Sequence, residues 1–121
     1  MELVRELEQI SFNDQEIRKK ANAKNITPEL IEELSEEMQI VDSINLIRID
    51  EIFEQYGYPS RELVGKECSF TPALVIHHIS DLETRYKYMP FLEKAVNDGL
   101  LNEGALNMIK IRNEHMELEK K

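Results

Sequence analysis

The sequence is poor in cysteine, in aromatic residues and in helix breakers. It contains one cysteine, Cys68, and no tryptophan, and aromatic residues make up 7% of it. A single thiol excludes an intramolecular disulfide and excludes a zinc site built from several thiolates. It also favours a reducing cytoplasm as the compartment of the protein. The core therefore has to be mainly aliphatic, and the four glycines and four prolines all lie where a helix could begin, bend or end.

Long hydrophobic runs and basic blocks are also missing. The longest apolar run covers residues 73–76, which is far too short to span a membrane. Residues 1–8 are acidic and amphipathic and do not resemble a signal peptide. The 24 acidic and 15 basic residues give a net charge of −9. This charge disfavours binding to nucleic acid and to anionic membrane surfaces, whereas it suits a basic protein partner or simple solubility.

Apolar residues recur at helical spacing along most of the chain, and no alternating β-branched run or hairpin turn predicts a strand. Hydroxyl residues followed by proline, at Thr27-Pro28 and Thr71-Pro72, are typical of helix starts. The first predicted segment, over residues 2–24, is one or two helices, and a break follows at Asn25-Ile26. A helix over 28–56, which Gly57 ends, is followed by a single turn over 60–65 and a helix over 72–88. Pro90 restarts or kinks the chain before a segment over 91–98 that Gly99 ends, and the last helix, over 103–119, is capped by Asn102. We therefore expect one all-α domain over residues 1–121, a helical bundle of about five helices.

Polar residues interrupt the apolar faces of the predicted helices. They are Asp14, Asn45, His78 and Arg112, one on each of four helices. Burying a neutral polar group without a partner costs roughly 2–7 kcal/mol, so helices that each carry one are expected to point them at each other. The sequence thus predicts a polar cluster inside the bundle, although it names no reaction.

His78 is the candidate for acid–base chemistry in this cluster. Adjacent helical residues point about 100° apart, so His77 and His78 cannot both face the core, and the apolar spacing selects His78. Histidine is well suited to proton transfer near neutral pH, and Asp81 at i+3 could orient the imidazole. The alternative is a hydrogen-bonded histidine of the core. Asp14 is the second catalytic candidate.

Positively charged and amide groups are the candidates for ligand binding. Asp14 and Arg18 are spaced i, i+4 and can pair, although Asp14 could instead serve a cap at Ser11. Arg112 needs a carboxylate or an anion if it is buried, with Asp14 as its candidate partner, or it extends to solvent. Asn45 could bind a ligand or fix helix register.

Other chemistry has little support in the sequence. Cys68 is expected in a loop between two helices, where packing is a better explanation than nucleophilic reactivity. Metalloprotease, phosphate-loop, serine-hydrolase and di-iron bundle motifs are all missing. We therefore predict no metal site and no cofactor.

The order and spacing of these residues resemble an uncharacterised bacterial domain family of unknown function that is thought to be helical. The similar positions are Asp14-Gln15-x-x-Arg18, Asp42-x-x-Asn45, Gly57-Tyr58-Pro59, Gly65, His78, Met89-Pro90-Phe91-Leu92, Ala95-Val96 and Arg112. The resemblance covers about residues 10–115 and implies a shared polar site, to which it adds Gln15. This chain has His77, Arg85 and Ile111 where that family commonly has Gln, Gln and Asp, and the Gln- and Tyr-Gly-containing tail of the family does not follow Lys121.

Two classes of function follow from these observations. The first is an internal site that binds a small polar or anionic ligand through Gln15, Arg18, Asn45 and Arg112, with His78 and Asp14 supplying any acid–base step. The alternative is an acidic interaction module of the immunity-protein or antitoxin kind, which binds a basic partner through its glutamate-rich surface. A third interpretation is that this chain keeps the fold of the family and has lost its activity. The presence of Ile111, where the family commonly has Asp, favours this interpretation. Whether the protein is an enzyme stays open.

Overall fold

The computed structural model describes residues 2–23 and 26–120, and the described chain is all-α. The helices are α1 (Glu2–Ala21), α2 (Pro28–Tyr56), α3 (Arg61–Val64), α4 (Lys66–His77), α5 (Leu82–Asn97) and α6 (Glu103–Glu119). Five long helices and one single turn confirm the predicted fold class. The predicted break at Asn25-Ile26 includes Asn25, which lies outside the described residues.

Helix α1 is one continuous helix, so a second helix capped at Ser11 is wrong. Its buried residues Leu7, Ile10 and Ile17 continue at helical spacing across the proposed cap. A new helix start at Ser11 would have broken this apolar face. Burial of the continuous face therefore outweighs the local capping preference.

Helix α2 begins and ends as predicted. The hydroxyl of Thr27 accepts a hydrogen bond from the backbone N–H of Leu30 at 3.1 Å, and Pro28 opens the first turn. At the other end Gly57 has φ +71°, and its N–H donates to the Phe53 carbonyl. A side chain at this φ would be strained, which explains the glycine.

Helix α4 begins at Lys66, so the predicted start at Thr71-Pro72 is wrong. Pro72 lies inside the helix, where its missing N–H removes one backbone hydrogen bond. Cys68 lies in this helix rather than in a loop, and it is buried among apolar residues of the core. Its burial, followed by the charges of Glu8 and Glu67, raises the pKa of the Cys68 thiol, which agrees with a packing role.

The predicted helix over 72–88 is interrupted at residues 78–81. Helix α4 ends at His77, and Asp81 starts α5 by accepting a hydrogen bond from the Thr84 N–H at 3.2 Å. Pro90 does not restart the chain, because α5 continues through it to Asn97. The predicted boundaries at Gly99, with φ +75°, and at Asn102, which caps α6, are confirmed.

Helix α4 lies at the centre of the bundle and packs against α1, α2, α5 and α6. One core cluster joins its Ile76 to Leu92 of α5 and Ile109 of α6. A second joins its Val75 to residues of α1 and α2, among them Leu7. Val75 and Ile76, near the C-terminal end of α4, are therefore packed against α1, α2, α5 and α6. None of the described helices combines the length and apolarity needed to cross a bilayer.

Candidate functional site

The Asp14 carboxylate is the centre of a polar cluster between α1 and the end of α4. Its side chain is 1% exposed. Oδ1 accepts hydrogen bonds from His78 Nδ1 at 2.8 Å and from Arg18 Nη1 at 3.1 Å, and Oδ2 accepts one from Gln15 Nε2 at 2.7 Å. The predicted Asp14–Arg18 pair is thus confirmed. Hydrogen bonds from three donors offset the free-energy cost of removing the Asp14 carboxylate from water.

Arg18 links this cluster to α2. Its guanidinium donates to both oxygens of Asp42, with Nη1–Oδ1 at 3.0 Å and Nη2–Oδ2 at 2.9 Å. This two-point geometry is the preferred arrangement of arginine with a carboxylate. Because Arg18 also contacts Asp14, its charge is matched within the protein, and it has little left to offer a ligand.

His78 is oriented by Asp14 and not, as the spacing predicted, by Asp81. The local prediction is wrong because residues 78–81 are not helical, so an i, i+3 relation puts no two side chains on one face there. A carboxylate accepts, so Nδ1 carries a proton, and this assignment leaves the lone pair of a neutral imidazole on Nε2. Within residues 2–23 and 26–120, Nε2 has no hydrogen-bond partner. This arrangement holds one ring nitrogen fixed and leaves the other for a proton transfer.

A cavity of about 600 Å³ opens beside His78. Its ionisable lining residues are Arg18, Asp42, His78, Asp81 and Arg112, and hydroxyl groups are supplied by Ser35, Ser43, Ser80 and Thr84. Residues of α1, α2, α5, α6 and the interrupted segment therefore meet around one space. Three of the residues singled out by the sequence, Arg18, His78 and Arg112, line it together.

Arg112 lies at this cavity without a partner in the described part of the chain. Its side chain is partly buried, and it makes no ion pair or hydrogen bond with the described residues. The predicted pairing with Asp14 is wrong because Arg18, His78 and Gln15 already occupy that carboxylate. Among the described residues, no carboxylate contacts Arg112, whereas the other cavity arginine, Arg18, is paired with Asp14 and Asp42.

The lowered pKa of the neighbouring His77 indicates a positive electrostatic potential at this end of α4. Burial, followed by the charges of Arg112, His78, Arg85 and Arg18, lowers the pKa of His77 to about 4. Every charge that shifts it is cationic. His77 was predicted to face outward, yet it is partly buried, and its Nδ1 has no partner among the described residues. The prediction fails because α4 ends at His77, so the helical geometry used to orient the pair does not extend to His78.

Arg85 is the main polar residue that sequence reasoning missed. Its side chain is fully buried, and Nε donates to Asn113 Oδ1 at 2.5 Å. Nη1 donates to the carbonyls of Ile76, His77 and Ile79, and Nη2 donates to the carbonyl of Ile109. Three of these carbonyls, those of Ile76, His77 and Ile79, lie at or just after the end of α4, where the helical hydrogen bonds stop. Its spacing from Leu82, Met89 and Leu92 is that of a buried helix face, and this signal could have identified it.

Burial and the nearby charge of Arg112 lower the pKa of Arg85 to about 10. Within residues 2–23 and 26–120 the Arg85 guanidinium has only neutral acceptors, so its charge adds to the positive potential around Arg112. Arg85 does not line the cavity. Its contribution to the site is to hold the end of α4 and to favour negative charge nearby.

The remaining two candidates lie outside the cavity lining. Asn45 is 1% exposed, and neither its Oδ1 nor its Nδ2 has a partner in the described structure. Gln15 is exposed and contacts the cluster only through Asp14. No group of three His, Cys, Asp or Glu residues within the described ranges could hold a metal ion.

Comparison with known proteins identifies the family and goes no further. The model of a family of unknown function, DUF6624, matches residues 1–110. No curated protein and no solved structure matches the chain. Since the family model covers most of the sequence, the chain belongs to DUF6624, and the resemblance to an uncharacterised domain family is confirmed.

Proposed function

We propose that this member of the DUF6624 family binds a small anionic molecule in the cavity beside His78, with Arg112 as the group that recognises the negative charge. The observation that carries the proposal is the partly buried Arg112, which lines a cavity of about 600 Å³ without an ion-pair partner among the described residues. A cation removed from bulk water gains most from an anion placed against it. Arg112 therefore supplies the anchoring contact.

The other charges of the site restrict the ligand to a single anionic group. Among the residues that line the cavity, Asp42 and Asp81 balance Arg18 and Arg112, and the buried Asp14, outside the lining, adds one carboxylate that contacts Arg18 and His78. A highly charged polyanion would meet these carboxylates. A molecule with one anionic end and a neutral body avoids this repulsion.

The hydroxyl-rich part of the lining suits a neutral, polar body. Ser35, Ser43 and Ser80 each bring a hydroxyl that can donate and accept. A polyhydroxy compound bearing one phosphate or carboxylate matches both parts of the cavity. Sugar phosphates are the simplest members of this class.

The Asp14–His78 pair supplies the acid–base capacity of the site. Asp14 holds Nδ1, so the lone pair of Nε2 can take a proton from a bound hydroxyl group, and the buried carboxylate stabilises the imidazolium that forms. We regard this step as a consequence of ligand binding, with His78 as the catalytic residue and Asp14 as the residue that positions it. The proposed compartment is the reducing cytoplasm, in accord with the single Cys68.

Calorimetric titration of the full chain with inorganic phosphate and with glucose 6-phosphate tests the proposal. We expect the sugar phosphate to bind more tightly, because only it reaches the hydroxyl lining. Arg112→Gln should weaken its binding by about 10- to 100-fold, the range of a charge-assisted hydrogen bond worth 1.5–3 kcal/mol. Arg5→Gln removes the same charge from an exposed position of α1 and should leave the affinity unchanged.

The proposal fails if neither compound binds saturably. It also fails if Arg112→Gln and Arg5→Gln weaken binding equally, since the effect would then follow net charge rather than the cavity.

A further inference from the structure

The outward face of α2 carries an unpartnered apolar stripe. Ile40, Ile44 and Ile47 follow each other at i, i+4 and i+7, so they lie on one side of the helix. They are 60%, 51% and 60% exposed, respectively. The buried residues of the same helix, Leu34, Asn45, Ile49 and Ile52, lie on the opposite side. The stripe is therefore separate from the core face of α2.

Acidic residues flank this stripe at both of its ends. Before the stripe stand Glu29, Glu33 and Glu36, and after it stand Glu51 and Glu54, all exposed and all at helical spacing on the same side. The chain has no Lys or Arg from residue 26 to residue 47. Along its length, the outward face of α2 thus carries an acidic segment, an apolar segment and a second acidic segment.

We propose that this face of α2 docks a basic amphipathic helix from another protein. The matching partner has apolar residues at i, i+3 or i+4, and i+7 in its middle and Lys or Arg at both ends. Contact would remove three isoleucine side chains from water and pair the flanking glutamates with cations. Burial of the isoleucines supplies the affinity, and pairing of the glutamates with cations supplies orientation and selectivity.

Charge decides between a basic helix and the other occupants of an apolar face. A second copy of this chain would place isoleucine against isoleucine. It would also place glutamate against glutamate at both ends, whether the two α2 helices run parallel or antiparallel. Like charges placed opposite each other disfavour such a contact. An anionic membrane surface is disfavoured for the same reason.

The docking face is independent of the cavity. Residues of α2 that line the cavity, such as Asp42, Ser43 and Leu46, do not include Ile40, Ile44 or Ile47. A variant of the stripe therefore leaves the cavity lining intact. Loss of ligand binding and loss of helix docking are separable results.

A synthetic peptide provides the probe. It has about 26 residues, which in a helix spans the distance from Glu29 to Glu54 at 1.5 Å per residue, with leucines at the three central apolar positions and lysines at both ends. Fluorescence anisotropy measures its binding to the full chain. We expect saturable binding that weakens as salt is raised. A peptide with glutamate in place of lysine, and a peptide of the same composition with the leucine spacing scrambled, should bind at least about tenfold more weakly.

Two pairs of variants separate the stripe and its charges from general effects. Ile44→Asp puts a charge in the centre of the stripe and should weaken binding at least about tenfold, whereas Leu118→Asp, at a 64% exposed position of α6, should not. Glu33→Lys with Glu36→Lys should weaken binding at low salt. Glu114→Lys with Glu119→Lys makes the same change in net charge on α6 and should have a smaller effect.

Three results would overturn the inference. One is the absence of saturable peptide binding to the native chain, and another is equal binding of the lysine and glutamate peptides. The third is self-association, measured by light scattering, that Ile44→Asp abolishes and Leu118→Asp does not, because a second copy would then occupy the face. Circular dichroism confirms that each variant keeps its helical content before it is compared.

Discussion

His78 Nδ1 lies 2.8 Å from Oδ1 of Asp14, which is 64 positions earlier in the chain. The contact joins the middle of α1 to the first residue after α4, and it assigns the ring proton to Nδ1. The buried carboxylate also meets Arg18, which in turn contacts Asp42 on α2. One side chain thus couples three helices to the orientation of the candidate proton carrier.

Replacing Asp14 by Asn tests both its structural and its positioning role. The change leaves Arg18 with one carboxylate partner and puts an amide against His78, which costs about 3–5 kcal/mol if it behaves as a broken buried ion pair. Urea unfolding measures the free energy, and ¹⁵N NMR of the imidazole reports the tautomer, which should change from the Nδ1–H form to a mixture. Asp98→Asn, which removes an exposed partner of Lys94, is the control and should stay within about 0.5 kcal/mol. An unchanged tautomer in D14N would show that Asp14 does not set it.

Arg85 is expected to contribute more to stability than an exposed arginine does. In Arg85→Ala the carbonyls at the end of α4 lose their donors and a cavity forms, so we expect a loss of at least about 3 kcal/mol in urea unfolding. Arg85→Gln keeps an amide donor, and the resemblance stated above places Gln at this position, so it should cost less than alanine. Arg61→Ala, at an exposed position, serves as the control. Equal costs for Ala and Gln at residue 85 would contradict the proposed role of its donors.

His77 should make the fold acid-sensitive. Its pKa is lowered from 6.5 to about 4 in the folded state, so between these values the unfolded chain binds the proton more readily. Its contribution therefore lowers the free energy of unfolding as the pH falls from about 6.5 towards 4. For one proton, the free energy of unfolding changes by less than about 1.4 kcal/mol per pH unit, and solvent screening reduces this change further.

Urea midpoints at pH 7 and pH 5 measure this dependence. His77→Gln removes the ionisable group and should lose less stability between the two values than the native chain does. His115→Gln, at an exposed position of α6, should retain the native dependence. If His77→Gln is as acid-sensitive as the native protein, another group is responsible.

Much of the fold follows from local features of the sequence. Thr27-Pro28, Gly57, Ser60, Gly65 and Asn102 place helix ends where the structure has them, because capping hydrogen bonds and positive φ values depend on a few adjacent residues. Local signals failed where the same residue types lie inside a helix. Pro72 and Pro90 are both internal, since burial of the surrounding apolar residues outweighs the loss of one hydrogen bond each.

The polar cluster was also predictable in part, because the helical spacing of apolar residues indicates which polar positions are buried. Periodicity indicated that Asp14 and Asn45 are buried, and both are. It assigned the local Asp14–Arg18 pair correctly, but it wrongly paired Arg112 with Asp14 and His78 with Asp81, because the contacts between helices depend on packing. Arg85 was not predicted to be buried, although it shares the helical spacing of Leu82 and Leu92, because arginine is rarely fully buried and its acceptors here include backbone carbonyls that no side-chain pattern reveals.

Sequence alone determined most of the helices, the ends at Thr27, Gly57, Ser60 and Asn102, and the burial of Asp14 and Asn45, because helical period and capping act over four residues or fewer. Tertiary structure decided that Asp14 holds His78, that Arg18 is matched by Asp42 and that Arg112 lies at the cavity without a partner in the described chain. It did so because each of these relations depends on where residues 24 to 64 positions apart meet, and the packing of α1 against α2 and α4 and of α6 against α4 sets those distances.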